Sequence, residues 1–232
     1  MSASDRSSRR DFLRRLGKGG LAAAAALPAL RATLARASAT RGEHVAGLPF
    51  DPEGGTPPRA CAPTEDNIEG PFYRPGAPKR ASLVDPALGL SGTPLAISGT
   101  VSGPDCRPLA GALLDVWQAD PRGRYDNDDP DHPPARDTFI LRGRLYTDAA
   151  GRYELRTLVP GHYRIGPKQW RPAHVHVKAS GPGTALLTTQ LYFAGDPYFE
   201  GDPFWHPSLI LALADAPGGG KRGTFDFFLM KG

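Results

Sequence analysis

The sequence predicts an all-β fold, an antiparallel β-sandwich with long loops and at most short helices. Three observations predict it. The 232 residues include 28 glycines and 25 prolines, more turn-formers than a helical bundle tolerates. Seven short strand-like runs recur between the turns. A hydrophobic content of 40% supplies one core of ordinary domain size.

The runs occupy residues 95–101, 112–118, 139–147, 153–158, 173–179, 186–193 and 224–230. Gly103-Pro104-Asp105, Asp148-Ala149-Ala150-Gly151 and Pro160-Gly161 are turn signals between them. Seven short strands at this spacing suit a sandwich. One short helix is expected over 208–214, where Ser208 caps the apolar run 209–213. The folded domain is expected over 64–232. Residues 40–63 are rich in Gly, Pro and charge without apolar periodicity, and read as a flexible linker or arm.

The first 39 residues read as an address. Ser8-Arg9-Arg10-Asp11-Phe12-Leu13 precedes an apolar stretch over 19–30 and the small-residue site Ala37-Ser38-Ala39, the order of a twin-arginine export signal. The apolar stretch, interrupted by Pro28 and Arg31, is too short for a comfortable bilayer crossing, so no stable membrane span is expected after cleavage. Export to the periplasm or beyond is the expected destination. Eight of the 28 basic residues and two of the 24 acids, Asp5 and Asp11, fall in this segment. The remaining 20 bases and 22 acids offer no basic field for nucleic acid. Cys61 and Cys106 are the only cysteines; in an oxidising compartment they allow one disulfide, and otherwise are two unrelated thiols.

The chemistry concentrates in Trp170-Arg171-Pro172-Ala173-His174-Val175-His176-Val177. Residues two apart on a strand share a face, so His174 and His176 can present imidazoles to one metal while Val175 and Val177 face the core. Two ordinary strand histidines are the bland alternative. Tyr163, in Pro160-Gly161-His162-Tyr163, and Tyr125, in Asp120-Pro121-Arg122-Gly123-Arg124-Tyr125, lie in Gly-containing segments from which a side chain can reach a site. Two imidazoles and two phenolates form a hard, doubly anionic set suited to a ferric ion, because a nearby trivalent charge favours the ionised phenol. Tyr73, Tyr146, Tyr153 and Tyr198 read as structural.

The strings GRY ending at Tyr125, VPGHY ending at Tyr163, WRPAHVHV from Trp170 and TTQLYFAGDPYF from Thr188 resemble the intradiol ring-cleavage dioxygenases, the family of protocatechuate 3,4-dioxygenase and catechol 1,2-dioxygenase. The resemblance implies that Tyr125, Tyr163, His174 and His176 hold one non-haem iron(III) per chain. It implies Arg171 beside the bound ring, Gln190 behind it and Tyr192 orienting a ligand, with Tyr163 also accepting a substrate proton. The implied partners are a small-molecule catechol and O2; a homo-oligomer is compatible. Glu69-Gly70-Pro71-Phe72-Tyr73 is similar to the catechol-cleaving branch, while the compact length and the Trp170 segment are similar to the protocatechuate branch. Where that branch reads PYPW, this chain has Tyr163-Arg164-Ile165. Two readings compete: a non-catalytic exported sandwich of transthyretin-like or carbohydrate-binding kind, and a copper or zinc enzyme using the histidines alone.

Overall fold

The computed structural model of the protein describes residues 61–232. The leader and most of the linker expected from the sequence lie outside the described residues. Among the described residues twelve strands carry the fold: β1 (Pro94–Ser102), β2 (Leu113–Gln118), β3 (Arg142–Tyr146), β4 (Arg152–Leu158), β5 (Tyr163–Arg164), β6 (Trp170–Arg171), β7 (His174–Ser180), β8 (Leu187–Phe193), β9 (Ile210–Leu211), β10 (Ala214–Asp215), β11 (Lys221–Thr224) and β12 (Phe227–Phe228). One sheet runs β10-β11-β1-β12, with β4 on the other side of β1; the second runs β3-β2-β7-β8-β9. β5 and β6 form a separate two-stranded ribbon.

Alternation decides what each strand buries. Leu95, Ile97 and Val101 of β1 and Tyr153 and Leu155 of β4 meet Leu114 and Val116 of β2, Val175, Val177 and Ala179 of β7, and Leu191 of β8 in one apolar core. The period of two then sends Asp115 and Trp117, His174 and His176, and Gln190 and Tyr192 to the opposite face of the second sheet. Such a face is ordinarily wet. Here the loops cover it, since Trp117, His174, His176, Gln190 and Tyr192 are all nearly fully buried. The polar side chains of this face thus sit outside the sandwich core yet out of water.

The all-β expectation holds, with three local departures. The expected helix over 208–214 is a single 3-10 turn, Pro207–Leu209, followed by β9. There, Ile210 and Leu211 pair in parallel with Tyr192 and Phe193, so ladder bonds and burial of Leu211 override weak local helix preference. The run 224–230 is divided between β11 and β12, because at its middle the Asp226 carboxylate, not the backbone, accepts from Thr100 N and Oγ1, each at 2.9 Å. The ladders are also not wholly antiparallel: β11 and β12 pair in parallel with β1, as β9 does with β8.

Cys61 and Cys106 form a disulfide, with Cα atoms 5.8 Å apart. It fastens the start of the described chain to the turn after β1. From there the segment runs along the second sheet: Asn67 N donates to Thr188 O at 2.7 Å, and Thr189 Oγ1 to Glu65 O at 2.7 Å.

Candidate metal centre

β7 places His174 and His176 side by side, with their Nε2 atoms 3.1 Å apart. Tyr125 Oη lies 3.3 Å from His174 Nε2, and Tyr163 Oη lies 3.4 Å from it. Metal–nitrogen and metal–oxygen bonds of about 2.0–2.2 Å, at angles of about 90–110°, separate neighbouring donors by roughly 2.8–3.6 Å. All three spacings fall in that interval. The structure therefore brings together the four residues that the sequence nominated, in a cluster the size of one coordination shell.

Local backbone geometry explains how two distant tyrosines meet. Asp120 Oδ1 accepts from Arg122 N at 2.8 Å and Arg124 N at 2.9 Å, which closes the turn that presents Tyr125. Gly123, at φ +78°, sits so close to the other tyrosine loop that a Cβ there would lie 1.9 Å from His162 O. Gly161 N donates to Asp120 O at 2.9 Å across the same contact. Two loops thus pack backbone against backbone, and the Tyr125 and Tyr163 rings meet edge to face at 5.7 Å. Tyr163 is also held by β5, where it is paired with Arg171 of β6.

The electrostatics suit a cation. Burial pushes both histidines well below the usual imidazole range, so both are neutral at pH 7. His174 Nδ1 donates to Pro172 O at 2.7 Å, which leaves the Nε2 lone pair facing the other donors. His176 Nδ1 is buried with no hydrogen-bond partner, so that side of the ring does not fix its tautomer. Burial raises the Tyr125 phenol well above 10. It raises Tyr163 too, opposed by the Arg171 charge. Four neutral donors with lone pairs converging at 3.1–3.4 Å fit a cation, whose charge would oppose the effect of burial and favour phenolate. Among the described residues no group of three or more His, Cys, Asp or Glu is arranged to hold a metal. The donors gathered beside the histidines are the Tyr125 and Tyr163 phenols.

The flanking side chains form an ordered network. Arg171 Nη2 donates to Gln190 Oε1 at 2.7 Å and to Tyr192 Oη at 3.1 Å, while Tyr192 Oη donates to Gln190 Oε1 at 3.0 Å. Gln190 Nε2 donates to Ile68 O at 2.8 Å, which fixes which end of the amide faces the arginine. Sequence reasoning missed four neighbours. Asp202 accepts from Arg171 Nε at 2.9 Å, and the Phe204 ring lies under the guanidinium at 4.9 Å. Trp117 stacks on His176 with centroids 4.7 Å apart, and Phe72 stacks on Tyr125 at 4.3 Å. Alternation in β2 could have found Trp117, which shares a face with Asp115 rather than with Val116. Nothing periodic marks the others.

Of the structural tyrosines, Tyr73 donates to Asp115 Oδ2 at 3.0 Å and Tyr153 to Phe225 O at 2.8 Å. A cavity of about 720 Å³ between β1, β3 and β4 contains none of the four clustered donors and is lined by Tyr146, Arg152 and Asp226, among others.

Known proteins resemble this arrangement. A family model described as "Dioxygenase" matches residues 68–230. The dioxygenase domain of a dioxygenase carbohydrate-binding protein fusion from Streptomyces sp. SirexAA-E is 43% identical over 74% of this chain and all of its own, with a TM-score of 0.62. The 3-chlorocatechol 1,2-dioxygenase of Rhodococcus opacus is 35% identical over 73% of each chain, with a TM-score of 0.65. Among curated proteins, the 6-chlorohydroxyquinol 1,2-dioxygenase of Cupriavidus pinatubonensis is 36% identical over 74% of this chain and 66% of its own length. Catechol 1,2-dioxygenase 1 of Acinetobacter lwoffii is 39% identical over 62% and 48%. The chain thus spans between about half and two thirds of these curated relatives. The family match extends from the arm beside His176 to the last strands and takes in all four clustered donors; this chain belongs to the intradiol ring-cleavage dioxygenase family.

Proposed function

We propose that the protein is an iron(III)-dependent intradiol dioxygenase that opens a catechol-type ring between its two hydroxylated carbons. The observation that carries this reading is the convergence of two phenols and two neutral imidazoles at 3.1–3.4 Å, with one buried arginine alongside. The printed activities of the relatives, on catechol, chlorocatechol and chlorohydroxyquinol, support the same substrate class. Tyr125, Tyr163, His174 and His176 would hold the ion. Bound there, iron(III) would supply Lewis acidity and would activate the aromatic ring toward O2.

The protein's own groups supply the rest. Tyr163 Oη is the candidate acceptor for a substrate hydroxyl proton, being a phenolate while ionised and returning to the neutral form that its burial favours. Arg171 presents a fixed positive charge beside that position, suited to negative charge developing on the ring and its oxygens. Gln190 and Tyr192 hold its Nη2 end. Phe72 and Trp117 pack against a phenol and an imidazole donor and exclude water. In the overall reaction one O2 adds across the broken carbon–carbon bond, and each hydroxyl-bearing carbon becomes a carboxyl. The product is a cis,cis-muconate-type diacid, with no other oxidant or reductant consumed.

Export by the twin-arginine route belongs to the same proposal, supported by the leader sequence and by the disulfide, which suits an oxidising compartment. The test is direct: purified protein should carry about one iron per chain, show a visible phenolate-to-iron band, and consume O2 with catechol. Labelled O2 should place both atoms in the diacid. Colourless protein with stoichiometric zinc, or no O2 uptake across a catechol panel by iron-loaded protein, would overturn the reading.

A further inference from the structure

The guanidinium of Arg171 is the only fixed positive charge in contact with the Gln190–Tyr192 pair among the described residues, and its orientation decides where that charge points. Two of its nitrogens are occupied by the protein. Nη2 is taken by Gln190 and Tyr192, as above. Nε is taken by Asp202 Oδ2 at 2.9 Å, in an ion pair whose side chains are 2% and 0% exposed. Gln190 and Tyr192 come from β8 and are rigid for the reason that any central strand is rigid. Asp202 comes from the connection between β8 and the Pro207–Leu209 turn, which has no ladder of its own.

That connection is nevertheless pinned at several points, and each pin sets the Asp202 carboxylate. Its Oδ1 accepts from Phe204 N at 2.9 Å, closing a short turn, while its own amide donates to Phe199 O at 3.2 Å. Gln169 Nε2, one residue before β6, donates to Gly201 O at 3.2 Å. Asn67 Nδ2, on the arm, donates to Phe204 O at 2.6 Å. The same turn lays the Phe204 ring 4.9 Å from the Arg171 guanidinium carbon. Asp202 therefore grips the Nε edge while Phe204 supports a face, and both belong to one three-residue turn.

Burial of a carboxylate here carries a cost, which the Arg171 charge on Oδ2 and the Phe204 N–H on Oδ1 offset. Burying Asp202 removes a charge from water, and its Oδ2 lies on Arg171 rather than on any group of the fold's core. An arginine held only through Nη2 could pivot about that nitrogen; a second contact at Nε, on the adjacent edge of the fork, removes the pivot.

We propose that Asp202 is a positioning residue for the ring-opening reaction: it acts through Arg171, fixing the guanidinium so that its charge meets the reacting ring. The proposal rests on the dioxygenase reading above. It makes Asp202 silent toward iron and decisive for turnover. The side chain is bonded to none of the four clustered donors, so Asp202→Asn should leave iron content and the resting visible band as in wild type. The isosteric amide keeps one oxygen for Phe204 N, but it loses the charge and cannot offer a second oxygen to Arg171 Nε. Misplacement of a reacting-site group by about 1 Å can cost on the order of 100-fold in rate. We expect kcat per bound iron to fall by about 10- to 100-fold, with a smaller change in KM.

A double-mutant cycle separates positioning from a general effect on the fold. Asp202→Asn, Arg171→Gln and the double variant are compared as iron-loaded full chains, for turnover of catechol and for the visible spectrum during anaerobic titration with catechol. If Asp202 acts through Arg171, adding Asp202→Asn to Arg171→Gln should lower kcat no further. The catechol-bound spectrum of Asp202→Asn should then shift in the same direction as that of Arg171→Gln. Asp202→Glu, which restores the charge on a longer stem, should recover part of the lost rate. Equal and independent losses in the cycle, or wild-type kcat in Asp202→Asn, would overturn the proposal while leaving the dioxygenase reading intact. Absence of turnover in the iron-loaded wild type would instead strike at that reading.

Discussion

The backbone contact between the two tyrosine loops makes Gly123→Ala the most informative single substitution in the fold. Gly123 has φ +78°, where an alanine costs about 1–2 kcal/mol because its Cβ crowds the following carbonyl. The new Cβ would also lie 1.9 Å from His162 O, against an ordinary contact of at least 3.4 Å, so the loops must part by roughly 1.5 Å. Overpacking of this kind adds about 1–3 kcal/mol, for a total near 2–5 kcal/mol. Gly111 provides the control: its φ is +69°, but its Cβ would meet nothing within 4 Å, so Gly111→Ala should cost only about 1–2 kcal/mol. Denaturant unfolding should be measured on metal-free proteins, because an ion bound only to the folded state adds its own stabilisation. The separation matters more at the site than in the fold. Tyr125 and Tyr163 each lie within 3.4 Å of His174 Nε2, and parting their loops by more than 1 Å leaves no common centre for both phenols. Iron content and the visible band should therefore fall in Gly123→Ala and survive in Gly111→Ala. Equal stability and equal iron binding in the two variants would refute the idea that this contact assembles the site.

His174→Ala and His176→Ala should each lose iron together with turnover, read by metal analysis of the purified protein; full retention in both would remove them from the ligand set. Tyr163→Phe should keep much of its iron and a visible band from Tyr125 while turning over slowly, whereas Tyr125→Phe should change affinity and colour both with and without catechol. A Tyr163→Phe variant at the wild-type rate would end the role assigned to that hydroxyl. Opening the Cys61–Cys106 bond by Cys106→Ser releases a loop of 45 residues' separation and, in the chain-entropy model, should lower stability by about 4 kcal/mol. An unchanged midpoint in denaturant would show that the arm is held by its other contacts.

The strands that flank the core were legible because a period of two leaves a visible trace. In Ala173-His174-Val175-His176-Val177 the valines enter the core and the histidines leave it, so one pattern announced both the strand and the side on which the two imidazoles gather. The 3-10 turn at Pro207–Leu209 was not legible, since the apolar run after Ser208 suits a helix as well as a strand and only pairing with Tyr192 and Phe193 decides. The division of 224–230 turns on one carboxylate, Asp226, replacing a backbone acceptor for Thr100. No local pattern encodes that choice.

Tyr125 and Tyr163 show the limit more sharply. Periodicity gives no reason to bring together residues 38 apart on two loops, and the motifs nominated them without a physical cause. The cause is carried by Gly123 and Gly161, which allow two backbones to touch, and by the Gly161–Asp120 hydrogen bond that joins them. Asp202 is the same kind of residue at the next remove. It belongs to no strand, contacts none of the four donors, and takes its meaning from Arg171, 31 positions earlier in the chain. Groups that bind iron must present particular atoms, so the choice of residue type betrays them. A group that only steadies another can be any partner with the right charge and reach, and it becomes visible once the fold supplies the distance.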